Sequence, residues 1–122
     1  MKTYFVSGHL DITEREFIDH YVPHLKVAVE NGDDFVVGDA KGADFMAQEW
    51  LSFYDRTVTV FHMFDSPRWL LGLFPTVGGF ETDKERDEAM TLASNTDIAW
   101  IRPGREKSGT AKNLARRAAI LV

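Results

Sequence analysis

The chain predicts a single α/β domain, a three-layer sandwich built on a mostly parallel sheet of four or five strands. Two observations lead there. Short apolar runs alternate with longer stretches of helical periodicity, and each run ends in a turn of glycines or reactive side chains. The length of 122 residues suits one domain with its own core and is too short for two. No repeat, low-complexity tract or linker interrupts the pattern.

The first strand is TYFVS, residues 3 to 7, leaving through Ser7-Gly8-His9. Thr13 is an N-cap, and Glu16 completes a capping box with it. Phe17, Tyr21, Leu25 and Ala28 then keep helical spacing until Asn31-Gly32 stops the helix. DFVVG, 34 to 38, is the second strand, followed by the turn Asp39-Ala40-Lys41-Gly42. A second helix starts near Ala43 and presents Met46, Ala47, Trp50, Leu51 and Tyr54 on one side. The β-branched TVTVFH, 57 to 62, is a third strand. Asp65-Ser66-Pro67 predicts a short helix carrying Trp69, Leu70 and Phe74, and Pro75 to Gly79 predicts a chain break. Thr82 with Glu85 predicts a second capping box opening a helix to about Asn95. DIAWI, 97 to 101, is the fourth strand, and a last helix follows it. The terminal AILV fits either a short edge strand or the end of that helix.

Hydrophobic residues are 44% and charged residues 27% of the chain, the balance of a globular protein. Without cysteine, neither a disulfide framework nor a zinc-thiolate site is available. The apolar start is too short for a signal peptide, and no stretch approaches the roughly 20 apolar residues of a membrane span. The expectation is a cytoplasmic protein without a membrane partner. A net charge of −5 argues against duplex nucleic acid, which rewards a basic face, but not against a small anion that responds to the local field. Arg102, Arg105, Lys107 and Lys112 crowd into such a local patch.

Right-handed crossovers gather the carboxyl ends of the strands on one rim, where open parallel sheets bind ligands. The turn from Pro103 to Thr110 suits a phosphate there. Gly104 and Gly109 permit close backbone approach, while Ser108 and Thr110 add hydroxyls beside the free amides of a helix N-terminus. Alternatively Ser108 is only an N-cap and the cations are a solvated face. In GDAKGAD, Asp44 would occupy the helix start and repel phosphate, so Gly38, Lys41, Gly42 and Asp44 are assigned to hydroxyls, such as those of a ribose, or to a base. A helix-starting acid with no ligand is the plainer reading. His9 suits a phosphate or a rim carboxylate, or is simply a turn residue. His20 and His24 stand four apart but lack a third ligand, so no metal is expected, and no cofactor either. Trp69, Leu70, Leu71 and Phe74 make an apolar lid or ordinary core.

"GDAKGADFMAQEWL" resembles the G-x-x-x-G-x-D-x-x-A signature of the SLOG superfamily of Rossmann-like nucleotide-binding domains. "ERDEAMTLASNTDIAWIRPGREKSGTAKNL" is similar to a segment of the Lonely Guy-type phosphoribohydrolases: E-R-x-x-x-M, an Asp opening a strand, then P-G-G-x-G-T-x-x-E. With "VSGH", the resemblance touches three segments across nearly the whole chain, and small SLOG proteins match its length better. For the hydrolytic members it implies a nucleoside 5′-monophosphate substrate, with the phosphate on the P-G-G-x-G-T turn. An Arg and the closing Glu act at the N-glycosidic bond. Carried over, the Arg is Arg86 and the turn is Pro103, Gly104, Gly109 and Thr110, lengthened by Arg105, Glu106 and Lys107. The Glu position falls on Asn113.

That departure bears on the chemistry. Glycosidic cleavage develops oxocarbenium character that a carboxylate stabilises or captures, and an amide does neither. Substitute carboxylates would be Asp39, Asp44, Glu85 or Glu88. Glu85 belongs to a capping box, and Glu88 lies about 200° around the helix from Arg86. The expectation is therefore a domain that binds a nucleoside monophosphate or ADP-ribose-like ligand, sensing or sequestering it. The alternatives are a hydrolase or transferase at the N-glycosidic bond and an interaction module with a degenerate site. Relatives commonly dimerise, which would give the aromatics at 69 to 80 a homodimer contact.

Overall fold

The computed structural model describes residues 1–72 and 74–121. Five strands, β1 (Thr3–Ser7), β2 (Asp34–Gly38), β3 (Val58–Met63), β4 (Thr76–Phe80) and β5 (Thr96–Ala99), form one sheet in the order β4-β3-β2-β1-β5. Every pairing is parallel. The helices are α1 (Glu14–His20), α2 (Val22–Glu30), α3 (Ala43–Leu51), α4 (Asp83–Leu92) and α5 (Gly109–Leu121). This is the expected Rossmann-like α/β sandwich.

Alternation along the strands feeds two cores. Val6, Phe35, Val37, Val58 and Ile98 pack with Phe17, Leu25, Ala28, Ala47 and Leu51 of α1 to α3. Phe5, Val36 and Phe61 point the other way and meet Met90 of α4. The chain steps outward from β1 through β4, then returns to place β5 on the other side of β1. The strand order therefore reverses between β1 and β5, where such sheets open a crevice at their carboxyl ends.

Four local expectations are corrected. The helix opened by Thr13 is two helices, with Tyr21 between them at φ −114. Pro23 lacks the amide that would bond back to residue 19, and its ring crowds that carbonyl. Tyr21 turns its hydroxyl to the sheet instead, donating to Ser7 O at 2.7 Å and accepting from Trp100 N at 3.1 Å. The helix expected after Asp65 is irregular chain among the described residues, because partners outside it take its amides. Arg68 N donates to Asp39 Oδ2, Trp69 N to Asp39 O and Leu71 N to Gln48 Oε1.

The break expected from Pro75 to Gly79 is strand β4. It is a sheet edge, where Pro75 can lead in without costing a ladder bond. Its Gly78 makes room for the His62 ring, which a Cβ would approach to 2.1 Å. Finally, Thr82 caps Glu85 N, but the Glu85 carboxylate accepts from Glu81 N, so the second capping box is half formed. The C-terminal segment continues as helix through Leu121, and residue 122 lies outside the described residues.

Candidate functional site

A cavity of about 610 Å³ opens at the reversal between β1 and β5. Phe5 and Met90 line its apolar part. Ser7, Gly8 and His9 come from the end of β1, and Lys41 and Asp44 from the β2 exit and α3. Arg68 reaches in from the loop after β3, Asp83, Arg86 and Asp87 from α4. Arg105, Ser108, Gly109, Thr110 and Asn113 complete the wall from the β5 exit and α5. Four strand exits and helix α4 thus converge, as parallel strand ends require. The volume lies within the roughly 300–1,000 Å³ of small-molecule sites.

The α5 end of the cavity offers donors. Ser108 is the N-cap: its Oγ accepts from Ala111 N at 3.2 Å and its carbonyl from Lys112 N at 3.0 Å. The Gly109 and Thr110 amides are the first two of the helix, whose geometry leaves them no intrahelical acceptor. Ser7 lines the same cavity, 6% exposed, and its Oγ is the buried side-chain oxygen that finds no partner among the described residues.

The α3 end is acidic. Asp44, also 6% exposed, accepts from Ala40 N at 3.3 Å. Burial pushes its carboxyl up to about 7, although the nearby Arg86 charge opposes that rise. Arg86 is anchored rather than free: Nη1 donates to Asp39 Oδ1 at 2.7 Å, and Nε and Nη2 to Asp87 Oδ1 at 3.2 and 3.0 Å. Burial pulls the Arg86 pKa down, but Asp44 and Asp87 more than offset it, so the guanidinium stays charged. Fully buried Asp39 also takes Arg68 Nη2 at 3.0 Å. Burial pushes the Asp39 carboxyl up, and bonds from Arg68 and Arg86 outweigh it, holding the group below the ordinary range.

His9 Nε2 accepts from Arg102 N at 2.9 Å, which leaves the ring proton on Nδ1. Burial, then the charges of Arg102 and Arg105, lower its pKa, so the ring is neutral at pH 7. Its neighbour Trp100 stacks on His20, with centroids 4.0 Å apart.

Ser7, Gly8, His9, Lys41, Asp44, Arg86, Ser108, Gly109, Thr110 and Asn113 all line the cavity; Gly38, Gly42, Pro103 and Gly104 do not. Gly38 and Gly42 take structural roles instead, and Pro103 and Gly104 lie off the wall. A Cβ on Gly38 would come within 2.4 Å of Asp44 Oδ2, so this glycine lets the carboxyl lie against the strand. Gly42, at φ +77, packs against the His9 and Leu10 carbonyls. Gly104 gives its amide to Glu106 at 2.8 Å, so the first half of the long turn is closed by its own side chain. The two arginines of the basic patch are answered too. Arg102 pairs with Asp11 at 3.0 Å and Glu16 at 2.7 Å, and Arg105 pairs with Asp11 at 2.8 Å.

Of the substitute carboxylates, Asp44 alone lines the cavity. Asp39 is enclosed by arginines, Glu85 caps Glu81, and Glu88 sits 3.8 Å from Lys84. Sequence reasoning missed Phe5, Asp11, Arg68, Asp83, Asp87 and Met90 as wall residues. Asp83 carried a signal, standing three before Arg86 on the helix, whereas Asp87, one after it, did not. Arg68 carried none, because its partner Asp39 is 29 residues away.

Fold and cavity define the class: a parallel α/β domain with a polar crevice at its topological reversal. Comparison with protein-family models, curated proteins and solved structures finds no match. Among the described residues, no helix is long and apolar enough to cross a membrane.

Proposed function

We propose that this cavity binds a nucleotide or nucleotide-derived ligand, a nucleoside monophosphate or an ADP-ribose-like molecule. In this reading the phosphate lies on the Gly109 and Thr110 amides, with the Ser7 and Ser108 hydroxyls beside it. Ribose hydroxyls face Asp44, an acceptor at the opposite end. One observation carries the proposal: the Ser7 hydroxyl is buried without a partner among the described residues, in a cavity that the N-terminus of α5 also lines. A buried hydroxyl left unsatisfied costs about 1–3 kcal/mol, which an incoming phosphate oxygen recovers. The helix dipole favours an anion at the same place. The SLOG-like segments are consistent with such a ligand. Asn113 provides no charge for glycosidic cleavage, so binding without turnover, as a sensor or a sequestering protein, is the leading form.

A specific observation favours a second reading, hydrolysis or transfer at an N-glycosidic bond. The Asp44 carboxyl is in the cavity and, once ionised above about pH 7, would supply the charge that Asn113 lacks.

Thermal denaturation with about 1 mM AMP tests binding, since a ligand at 100 times its Kd adds about 2.7 kcal/mol of stability. Gly109→Pro removes one of the two free amides at the first helical position, where proline is tolerated, and nothing lies within 4 Å of a Cβ there. The variant is expected to fold and to lose the AMP shift. An unchanged wild-type melting temperature with AMP and related nucleotides would leave only an interaction module. Chromatography of the same mixtures decides turnover: free base that disappears in Asp44→Asn establishes the enzyme.

A further inference from the structure

Beside the main cavity lies a second, of about 470 Å³, and Asp83, Asp87, Gly109 and Asn113 line both. The second cavity adds Lys84, Lys112 and Arg116. Its electrostatics differ from those of the first. Of the main cavity's cations Arg68, Arg86 and Arg105 are ion-paired, and Lys41 is the one with no carboxylate within 4.0 Å among the described residues. Among the described residues, no carboxylate comes within 4.0 Å of the Lys112 or Arg116 charge, and Lys84 meets Glu88 only at 3.8 Å.

The two acids on the shared ridge are already engaged, Asp87 by Arg86 at 3.0 Å and Asp83 by Arg68 at 3.0 Å. Lys112 and Arg116 are like charges four apart on α5, an arrangement that weakens a helix unless an anion answers it. Arg116 is nonetheless held in place, Nη1 donating to Asn113 Oδ1 at 2.7 Å, and Asn113 is 4% exposed. A neutral buried amide therefore orients the guanidinium without neutralising it. Between the cavities stands Gly109, with open space where a side chain would be. A ligand can cross the ridge at that gap.

We propose that the second cavity is a subsite for a further anionic group of the ligand held in the first. The ligand class then narrows to nucleotides with two phosphate groups, as a diphosphate or as a bisphosphate on separate hydroxyls. The inference rests on the nucleotide reading of the main cavity.

Calorimetric titration of AMP, ADP and adenosine 3′,5′-bisphosphate against the wild type and a Lys112→Ala/Arg116→Ala variant tests it. One two-phosphate ligand is expected to bind about tenfold tighter than AMP, equivalent to about 1.4 kcal/mol. ADP in that role identifies the anhydride, and the bisphosphate identifies the separated pair. The double variant, checked by circular dichroism, is expected to abolish that preference while retaining AMP affinity. Equal affinity for all three ligands, or a preference that survives the double variant, overturns the subsite. If none of the three binds, the nucleotide reading fails by itself, and inorganic pyrophosphate decides the cationic cavity. Binding that the double variant loses supports the subsite; no binding refutes it.

Discussion

Replacing Asp44 by asparagine should change how stability depends on pH, by an amount that follows from the burial of one carboxyl. Asp44 lies against Gly38, where burial raises its pKa from 3.8 to about 7. At about 1.36 kcal/mol per pH unit, that displacement corresponds to about 4 kcal/mol. Between about pH 4 and pH 7 the native protein keeps a proton that the unfolded chain has released, so native binds more protons than unfolded. Stability contributed by this group therefore falls as pH rises through that window, and levels off on either side. Asparagine has nearly the same shape, can still accept from Ala40 N, and does not ionise. It leaves Arg86 paired with Asp39 at 2.7 Å and Asp87 at 3.0 Å. Urea unfolding of both proteins from about pH 3 to 8.5 should show near-equal stability at the acid end. Asp44→Asn should lead by up to about 4 kcal/mol at the alkaline end. Taking the difference cancels the titrating groups that do not interact with Asp44, leaving Asp39 and Asp87 as its coupled neighbours. A difference that stays flat with pH, or grows in the opposite direction, would refute the burial argument and remove the reason to treat Asp44 as a tuned group.

Two further substitutions test the frame around the cavity. Gly8→Ala puts a methyl 2.3 Å from Tyr21 Oη and 2.4 Å from Ala43 Cβ, and neither can swing aside freely. Chemical denaturation should show a loss of about 1–3 kcal/mol, whereas an unchanged midpoint would mean that the β1 turn is looser than drawn. Arg117→Ala removes a nearly buried guanidinium that contacts Asp97, Thr91 O, Ser94 O and Ser94 Oγ. It leaves Asp97 enclosed without its cation, so a loss of about 3–5 kcal/mol is expected in the same assay. A loss below about 1 kcal/mol would show that this pair does not hold α5 to β5.

What could be read from the chain was local. Strands β1, β2, β3 and β5 are runs of apolar or β-branched residues, and the Thr13–Glu16 box is a three-residue signal, so pattern alone placed them. Pro23 was passed over by the helical periodicity, which ran one helix through it, although its missing amide is the reason α1 and α2 are separate. Strand β4 was not legible, because glycine and proline obscure its strand character and pairing with β3 supplies its order. The loop after β3 resists reading for the same kind of reason: Asp39 and Gln48, far behind it in sequence, bind its amides.

At the cavity the division is sharper. Sequence by itself determined that glycines, hydroxyls and a helix start would meet on one rim, since parallel crossovers leave no other place for them. Only the tertiary structure decided which charges remain available there. Arg102 meets Glu16 across 86 residues and Arg86 meets Asp39 across 47. Among the described residues Ser7 Oγ lacks a partner, which only the arrangement of the folded walls determines. Electrostatic free energy depends on distance and burial in three dimensions, and neither quantity is written in residue order.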